Sequence, residues 1–209
     1  MKNLIELNHP LVKDFVNRIR DINLDSNLFR KYVGSIAKMA LFEAFKNESL
    51  EKKEIETWQG KGEFDFLPQE NYVFIPILRA GLPMLNAIID IMPLSKAGFL
   101  AMKRDETTYK TTLFYKRLPD LKDKTAVILD PMVATGGSLH DAISEIKKEN
   151  PKRVISLNII GAKEGLEYVL NSHPDVKIYI AQIDRKLNSK KYIIPGIGDA
   201  GDRAFNTVN

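Results

Sequence analysis

The chain has 209 residues, 44% of them hydrophobic and 28% charged, the balance of a soluble globular protein, which excludes a disordered chain. It contains no cysteine, so disulfides, thiolate nucleophiles, iron–sulfur clusters and cysteine-based zinc sites are excluded. The 31 Lys and Arg against 27 Asp and Glu give a net charge of +4, and a pI near 9.1 suits an anionic ligand without choosing between a small phosphate compound and nucleic acid.

The length fits one domain over residues 1–209. No apolar run approaches the ~18 residues of a membrane span, and Met1–Pro10 lacks an apolar signal-peptide centre, so the sequence reads as a cytosolic protein. From the N-terminus, Leu11, Phe15, Ile19 and Ile22 recur at helical spacing, with Pro10 at a tolerated first-turn position. Ser26 reads as the N-cap of a second helix whose face is Leu28, Tyr32, Ile36, Met39 and Phe42. Asn47–Asn71 is polar and aperiodic, an excursion containing the single Trp58.

A change of pattern follows. Tyr72–Leu78 reads as a buried strand, Leu82–Met92 as a helix with Pro93 beyond it, and Ala97–Met102 as a second strand. Asp105–Thr112 is polar and Thr-rich, a mobile loop in this reading, with Leu113–Leu118 as a returning strand. Thr125–Leu129 is a third buried strand. Ser138–Asn150 is an amphipathic helix on Leu139, Ala142, Ile143 and Ile146. Arg153–Ile160, Glu164–Asn171 and Val176–Ile183 then alternate as strand, helix and strand. This alternation predicts an α/β fold with a mostly parallel sheet flanked by helices, preceded by an N-terminal helical part. Ligands of such sheets bind at the C-terminal strand ends, which points to Arg79, Arg104 and Asp130.

The strongest motif is the run from Thr125 to Ser138: a buried strand, the carboxylate of Asp130, then Pro131, Met132, Val133, Ala134, Thr135, Gly136, Gly137 and Ser138 opening a helix. Glycines permit close backbone approach. Successive N–H groups, the helix dipole and the two hydroxyls make such a turn an anion cradle. The blander reading is a strand-to-helix turn with Ser138 as N-cap. Arg79 and Arg104 each follow a predicted strand, where a guanidinium suits phosphate. No Gly-x-x-x-x-Gly-Lys-[Ser/Thr] occurs. Gly196-Ile-Gly198-Asp-Ala-Gly201 matches the dinucleotide fingerprint, but no βαβ unit is expected around it, so it reads as a backbone-lined pocket loop or a capped turn. His9, His140 and His173 fit no metal spacing, and no metal ligands are assigned.

Taken together, Pro76–Leu82, Lys103–Thr107, Asp130–Ser138 and Tyr192–Arg203 resemble the uracil phosphoribosyltransferase family of the type I phosphoribosyltransferase fold, in order and spacing and over essentially the whole chain. The Asp130-Pro131 pair and the C-terminal Pro-Gly-x-Gly-Asp-Ala-Gly-Asp-Arg separate this family from others of the fold. Pro83, Met102-Lys103 and Phe114–Pro119 depart from its usual pattern. The resemblance implies transfer of the phosphoribosyl group of 5-phosphoribosyl 1-diphosphate (PRPP) to uracil, giving UMP and diphosphate, with Mg²⁺ bound mainly through the donor. It implies donor contacts from Arg79, Arg104, Asp130, the 131–138 loop and Asp199, and a catalytic set of Asp130, Arg104 and Asp199. Uracil would be read by the Ile193 carbonyl and the N–H groups of Gly198 and Ala200, beside Asp199. A homo-oligomer is implied, as is GTP activation of the kind found in some members. An RNA-binding regulator on the same fold and transfer to a different base remain alternatives. Scattered Lys and Arg residues and a complete base-binding loop favour the enzyme.

Overall fold

Strands buried at every position need cover on both faces, and the helices between them supply it. The computed structural model describes residues 2–104 and 111–207, without the side chains of 103, 104 and 111. In chain order the elements are β1 (Leu4–Glu6), α1 (Pro10–Arg20), α2 (Ser26–Phe45), β2 (Glu51–Thr57), β3 (Gly60–Phe66), β4 (Tyr72–Leu78), α3 (Leu82–Ile89), β5 (Lys96–Ala97), β6 (Phe99–Arg104), β7 (Thr111–Arg117), β8 (Thr125–Leu129), β9 (Met132–Val133), α4 (Gly137–Lys147), β10 (Arg153–Ala162), α5 (Lys163–Ser172), β11 (Lys177–Asp184), β12 (Lys186–Leu187), β13 (Ile193–Ile194) and α6 (Ala200–Phe205).

Among the described residues, nine strands form one sheet in the order β1-β11-β10-β8-β4-β6-β7, with β5 beside β4 and β9 beside β10. Only the β6–β7 pair is antiparallel. The chain leaves β4 through α3 for β6 on one side, and leaves β8 through α4 for β10 on the other. The strand order therefore reverses between β4 and β8, which pair from Tyr72↔Thr125 to Pro76↔Leu129. The crevice at such a reversal is where open α/β sheets hold ligands. One apolar layer packs α1, α2, α3 and α6 on the first face of the sheet, and a second packs α4 and α5 on the other. Among the described residues no helix is long and apolar enough to cross a membrane.

The α/β reading and its central strands agree with this architecture, and Leu139, Ala142, Ile143 and Ile146 are the buried face of α4. Other expectations need correction. The buried face of α1 is Val12, Val16 and Ile19, while Leu11 is half exposed and Ile22 lies beyond the helix in solvent. On α2 the buried stripe is Phe29, Val33, Ile36, Ala37, Ala40, Leu41 and Ala44. Phe42 points outward. Both faces were displaced because large apolar residues stand one position from the true stripe. The N-cap of α2 is Asp25, whose carboxylate accepts from the N–H groups of Asn27 and Leu28, both at 2.9 Å; Ser26 is the first helical residue.

The polar excursion is a regular antiparallel hairpin, β2–β3, with Trp58 91% exposed at its tip. The strand expected over Ala97–Met102 breaks at Gly98, whose N–H bonds Phe74 O at 3.0 Å. Residues 105–110 of the expected loop lie outside the described residues, whereas Thr111 and Thr112 belong to β7. Besides the two-residue strands β9, β12 and β13, two further elements were not foreseen. β1 extends the sheet beside β11, and the short helix α6 follows the glycine-rich loop.

Candidate active site

β8 ends at Asp130, and the sheet does not release the chain there. Asp130 N–H bonds Leu157 O at 3.2 Å, and the Pro131 carbonyl accepts from Ile160 N–H at 2.9 Å. Asn158, fully buried in β10, donates from Nδ2 to the Asp130 carbonyl at 2.7 Å and accepts through Oδ1 from the Ser156 hydroxyl at 2.8 Å. The backbone of Asp130 is thus fixed by β10. Its carboxylate is buried and, among the described residues, accepts only a long contact from Met132 N–H, at 3.4 Å. Burial in low dielectric penalises the charged form and pushes this carboxyl up to about 7, with the Met132 N–H pulling weakly the other way. A carboxylate so placed is a candidate functional group.

Beyond it, residues 132–139 line a pocket together with Asp130. Gly136 takes the left-handed conformation, φ 83°, as the N-cap of α4, and no side chain caps the helix there. The Ser138 N-cap reading is therefore wrong. The first-turn N–H groups of α4 face the pocket without a capping oxygen, the arrangement that favours an anion. The turn is pressed against the start of α5. A Cβ on Gly165 would lie 2.1 Å from Ala134 O, and one on Gly136 2.4 Å from Gly165 O. Gly165 was missed in the sequence, although an isolated glycine inside a predicted helix is a recognised sign of close backbone approach.

Arg79 follows β4, beside β8. A Cβ on Gly81, two residues on, would lie 2.4 Å from Leu129 O, so the turn after β4 abuts the end of β8. Arg79 Nη2 donates to Asp202 Oδ1 at 2.9 Å, and Nη1 to Thr207 Oγ1 at 3.2 Å. These bonds bring the β4 end against α6. Arg104 ends β6, whose pairing with β4 includes Leu78↔Ala101; its side chain lies outside the described residues.

The C-terminal loop is shaped by positive φ at Gly196 (67°) and Gly198 (73°). Ile193 lies in β13, Ala200 opens α6 and is buried, and Asp199 caps α6 by accepting from Asp202 N–H at 2.8 Å. A Cβ on Gly201 would lie 3.2 Å from Asp199 Oδ1 and 3.8 Å from Arg79 Nη2. The structure thus gathers Arg79, Asp199 and the 196–201 loop in one place, and the Asp130 pocket at the neighbouring strand end.

A model of the family described as uracil phosphoribosyltransferase matches residues 6–207. The uracil phosphoribosyltransferase of Aquifex aeolicus is 45% identical over 202 residues, covering 97% of each chain. That of Ureaplasma urealyticum is 42% identical, covering 96% of this chain and 98% of the relative. The solved structure of the AQ2163 protein from Aquifex aeolicus superposes with a TM-score of 0.94 at 44% identity, covering 97% of each chain. The fold alone is shared with an adenine phosphoribosyltransferase from Trypanosoma brucei, at a TM-score of 0.59 and 13% identity over 88% of this chain and 84% of the other. A crevice at the strand-order reversal, a glycine turn opening a helix beside a buried carboxylate, and this near full-length kinship agree: the chain belongs to the uracil phosphoribosyltransferase family.

Proposed function

We propose that the protein transfers the phosphoribosyl group of PRPP to N1 of uracil, giving UMP and diphosphate in pyrimidine salvage. Membership of the family over residues 6–207 carries this reading. In the reaction the C1–O bond to diphosphate breaks, its electron pair leaves with the diphosphate, and the N1–C1 bond forms as N1 gives up its proton. One domain over residues 1–209 suffices for it, and the cytosol is its setting.

The pocket over 132–139 supports a 5′-phosphate site on the N–H groups of Thr135 to Ser138 and their hydroxyls. Asp130 would accept from the ribose hydroxyls and stabilise positive charge growing on the ring. Arg79 and Arg104 would neutralise the departing diphosphate, and Asp199, whose Oδ1 serves the α6 cap, would accept from a ribose hydroxyl of the donor through Oδ2. No cluster of three or more His, Asp or Glu that could hold a metal occurs among the described residues. Family membership assigns Mg²⁺ mainly to the donor's diphosphate, where its charge would ease diphosphate departure.

Uracil presents two carbonyl acceptors around N3–H. The Ile193 carbonyl would accept from N3–H, and the N–H groups of Gly198 and Ala200 would donate to O4 and O2. Cytosine lacks N3–H, so its lone pair would face the carbonyl. A homo-oligomer belongs to the same reading, supported by the β2–β3 hairpin, which exposes Ile55, Trp58, Phe64 and Phe66. GTP activation enters with family membership alone.

UMP formation from uracil and PRPP, with and without Mg²⁺ and with cytosine, orotate and hypoxanthine as competitors, tests the assignment. UMP forming from uracil and dependent on Mg²⁺ is the expected result; a product from another base and none from uracil would overturn it. A second expectation concerns the base loop. At Gly198 the backbone has φ 73°, and a Cβ would meet Arg203 Cδ at 3.4 Å, so Gly198→Val is strained and displaces an N–H donor. Uracil affinity should fall by about tenfold or more while donor affinity persists, each lost base-edge hydrogen bond costing ~1–3 kcal/mol. Calorimetry with each substrate separately checks it.

A further inference from the structure

The loop proposed to read uracil is held from outside by the N-terminal helical part. Arg20, the last residue of α1, forms a bidentate pair with Asp184 at the end of β11: Nη2 to Oδ1 at 2.6 Å and Nη1 to Oδ2 at 2.9 Å. Asp184 is 5% exposed. Both partners then grip one residue of the loop. Asp184 Oδ2 accepts from Gly196 N–H at 3.0 Å, and Arg20 Nη1 donates to Gly196 O at 2.8 Å. The N–H and the carbonyl of Gly196 are therefore both fixed by a single ion pair.

Gly196 is the residue through which that grip reaches the base. A Cβ on it would lie 2.3 Å from Ile193 O, so its Cα stands directly against the carbonyl assigned to uracil N3–H. A second arginine ties the same loop to the end of α1. Arg203 of α6 donates to the carbonyls of Ile19 and Asp21 at the end of α1 and, at 2.8 Å, to Ile197 O within the loop. Its guanidinium also lies over the Phe29 ring of α2, 4.5 Å from the centroid. The end of α1 thus carries a guanidinium into the loop and receives another from beyond it.

We propose that Arg20 and Asp184 are positioning residues for uracil recognition: the pair holds Gly196 so that the Ile193 carbonyl and the Gly198 and Ala200 N–H groups stay aimed at the base edge. The inference rests on the base-loop assignment above. A planar fork is needed, because one group must meet two carboxylate oxygens and a carbonyl at once. Lys offers the charge without the fork. Among the described residues neither side chain hydrogen-bonds the 131–138 turn, and α4, which that turn opens, packs in the opposite layer of the sheet.

The test uses the whole chain with Arg20→Lys, Arg20→Gln, Asp184→Asn and the double variant Arg20→Gln/Asp184→Asn. Uracil KM should rise about tenfold or more in each single variant, with PRPP affinity by calorimetry within about threefold of the parent. The discrimination between uracil and cytosine should narrow as the carbonyl loses its aim. Arg20→Lys should remain folded and still show the rise in uracil KM. The double variant should be no worse than the worse single one, as for two residues acting through one contact. Equal losses of uracil and PRPP affinity, or an unchanged uracil KM in folded Arg20→Lys, would overturn the proposal. Gly198→Val distinguishes the two failures. If it weakens uracil while Arg20→Lys does not, the base loop stands and the clamp falls; if it leaves uracil binding unchanged, the base-loop assignment itself is wrong.

Discussion

Replacing Asp130 by Asn should lower kcat by about 10²–10³-fold while changing donor affinity by less than about tenfold. The carboxylate is isosterically removed, so Asn can still bond ribose hydroxyls, but it offers no negative charge to a cationic ring. The pH dependence follows from burial. In the free protein the Asp130 carboxyl is held up at about 7, so below that pH it carries a proton and cannot serve. The kcat/KM for the donor should therefore fall with decreasing pH through about 7 with unit slope in the parent, and the step should vanish in the Asn variant. Stability has the opposite trend. A raised folded-state carboxyl binds its proton more tightly than the unfolded chain does. The stability this confers is complete below the ordinary Asp range near pH ~4 and is lost as pH rises through about 7, at roughly 1 kcal/mol per pH unit at most. Asp130→Asn has no such loss and should gain on the parent in melting experiments between pH 5 and 8. Unchanged turnover in a folded variant would remove Asp130 from the chemistry.

Gly165→Ala should weaken PRPP binding by about tenfold to a hundredfold, although Gly165 is not itself assigned a donor contact. In an ordinary helix the same change stabilises by about 1 kcal/mol. Here the new methyl would stand 2.1 Å from Ala134 O and 2.9 Å from Gly136 N. Backbone cannot yield as a flexible side chain can, so either α5 or the 134–136 turn must move by an ångström or so. A displacement of that size at a binding constellation costs about 10². Calorimetry with PRPP and with uracil separates the effects: donor affinity should fall and uracil affinity hold. A variant with normal donor affinity would show that the turn and α5 are free to separate.

Where the sequence was legible, the reason was local. Thr125–Leu129 is apolar at each position but the first, so its burial on both faces and its termination at Asp130 could be read directly. The turn to α4 could be placed from Gly136 and Gly137. The role of Gly165 could not, because the contact joins backbone atoms some thirty residues apart. The β2–β3 hairpin was illegible for another reason. Both of its faces are largely in solvent, so no alternation of apolar and polar residues marks it. α6 was missed because six residues give too short a window for a helical period. In the C-terminal loop, chain order and glycine content pointed to a backbone-lined pocket. What sets its shape, the Arg20–Asp184 pair, spans 164 residues of sequence.

The C-terminal loop and the helix opened by the glycine turn rest on different apolar layers. Ile193, Ile197, Ala200 and Ala204, which carry the base loop and α6, belong to the layer of α1, α2 and α3. Leu139, Ala142, Ile143 and Ile146, which carry the phosphate turn, belong to the layer of α4 and α5. The strands β4, β8, β10 and β11 send side chains into both, and Met132 and Ala134 of the turn also pack against the first layer. Residues in separate layers share few neighbours, and the effects of changing them combine nearly additively. On the proposed site assignment, substitutions under the base loop fall in the first layer while the helix behind the phosphate turn stays in the second. The architecture is in that sense permissive of divergence, a property of how the core is partitioned and independent of which base this chain accepts.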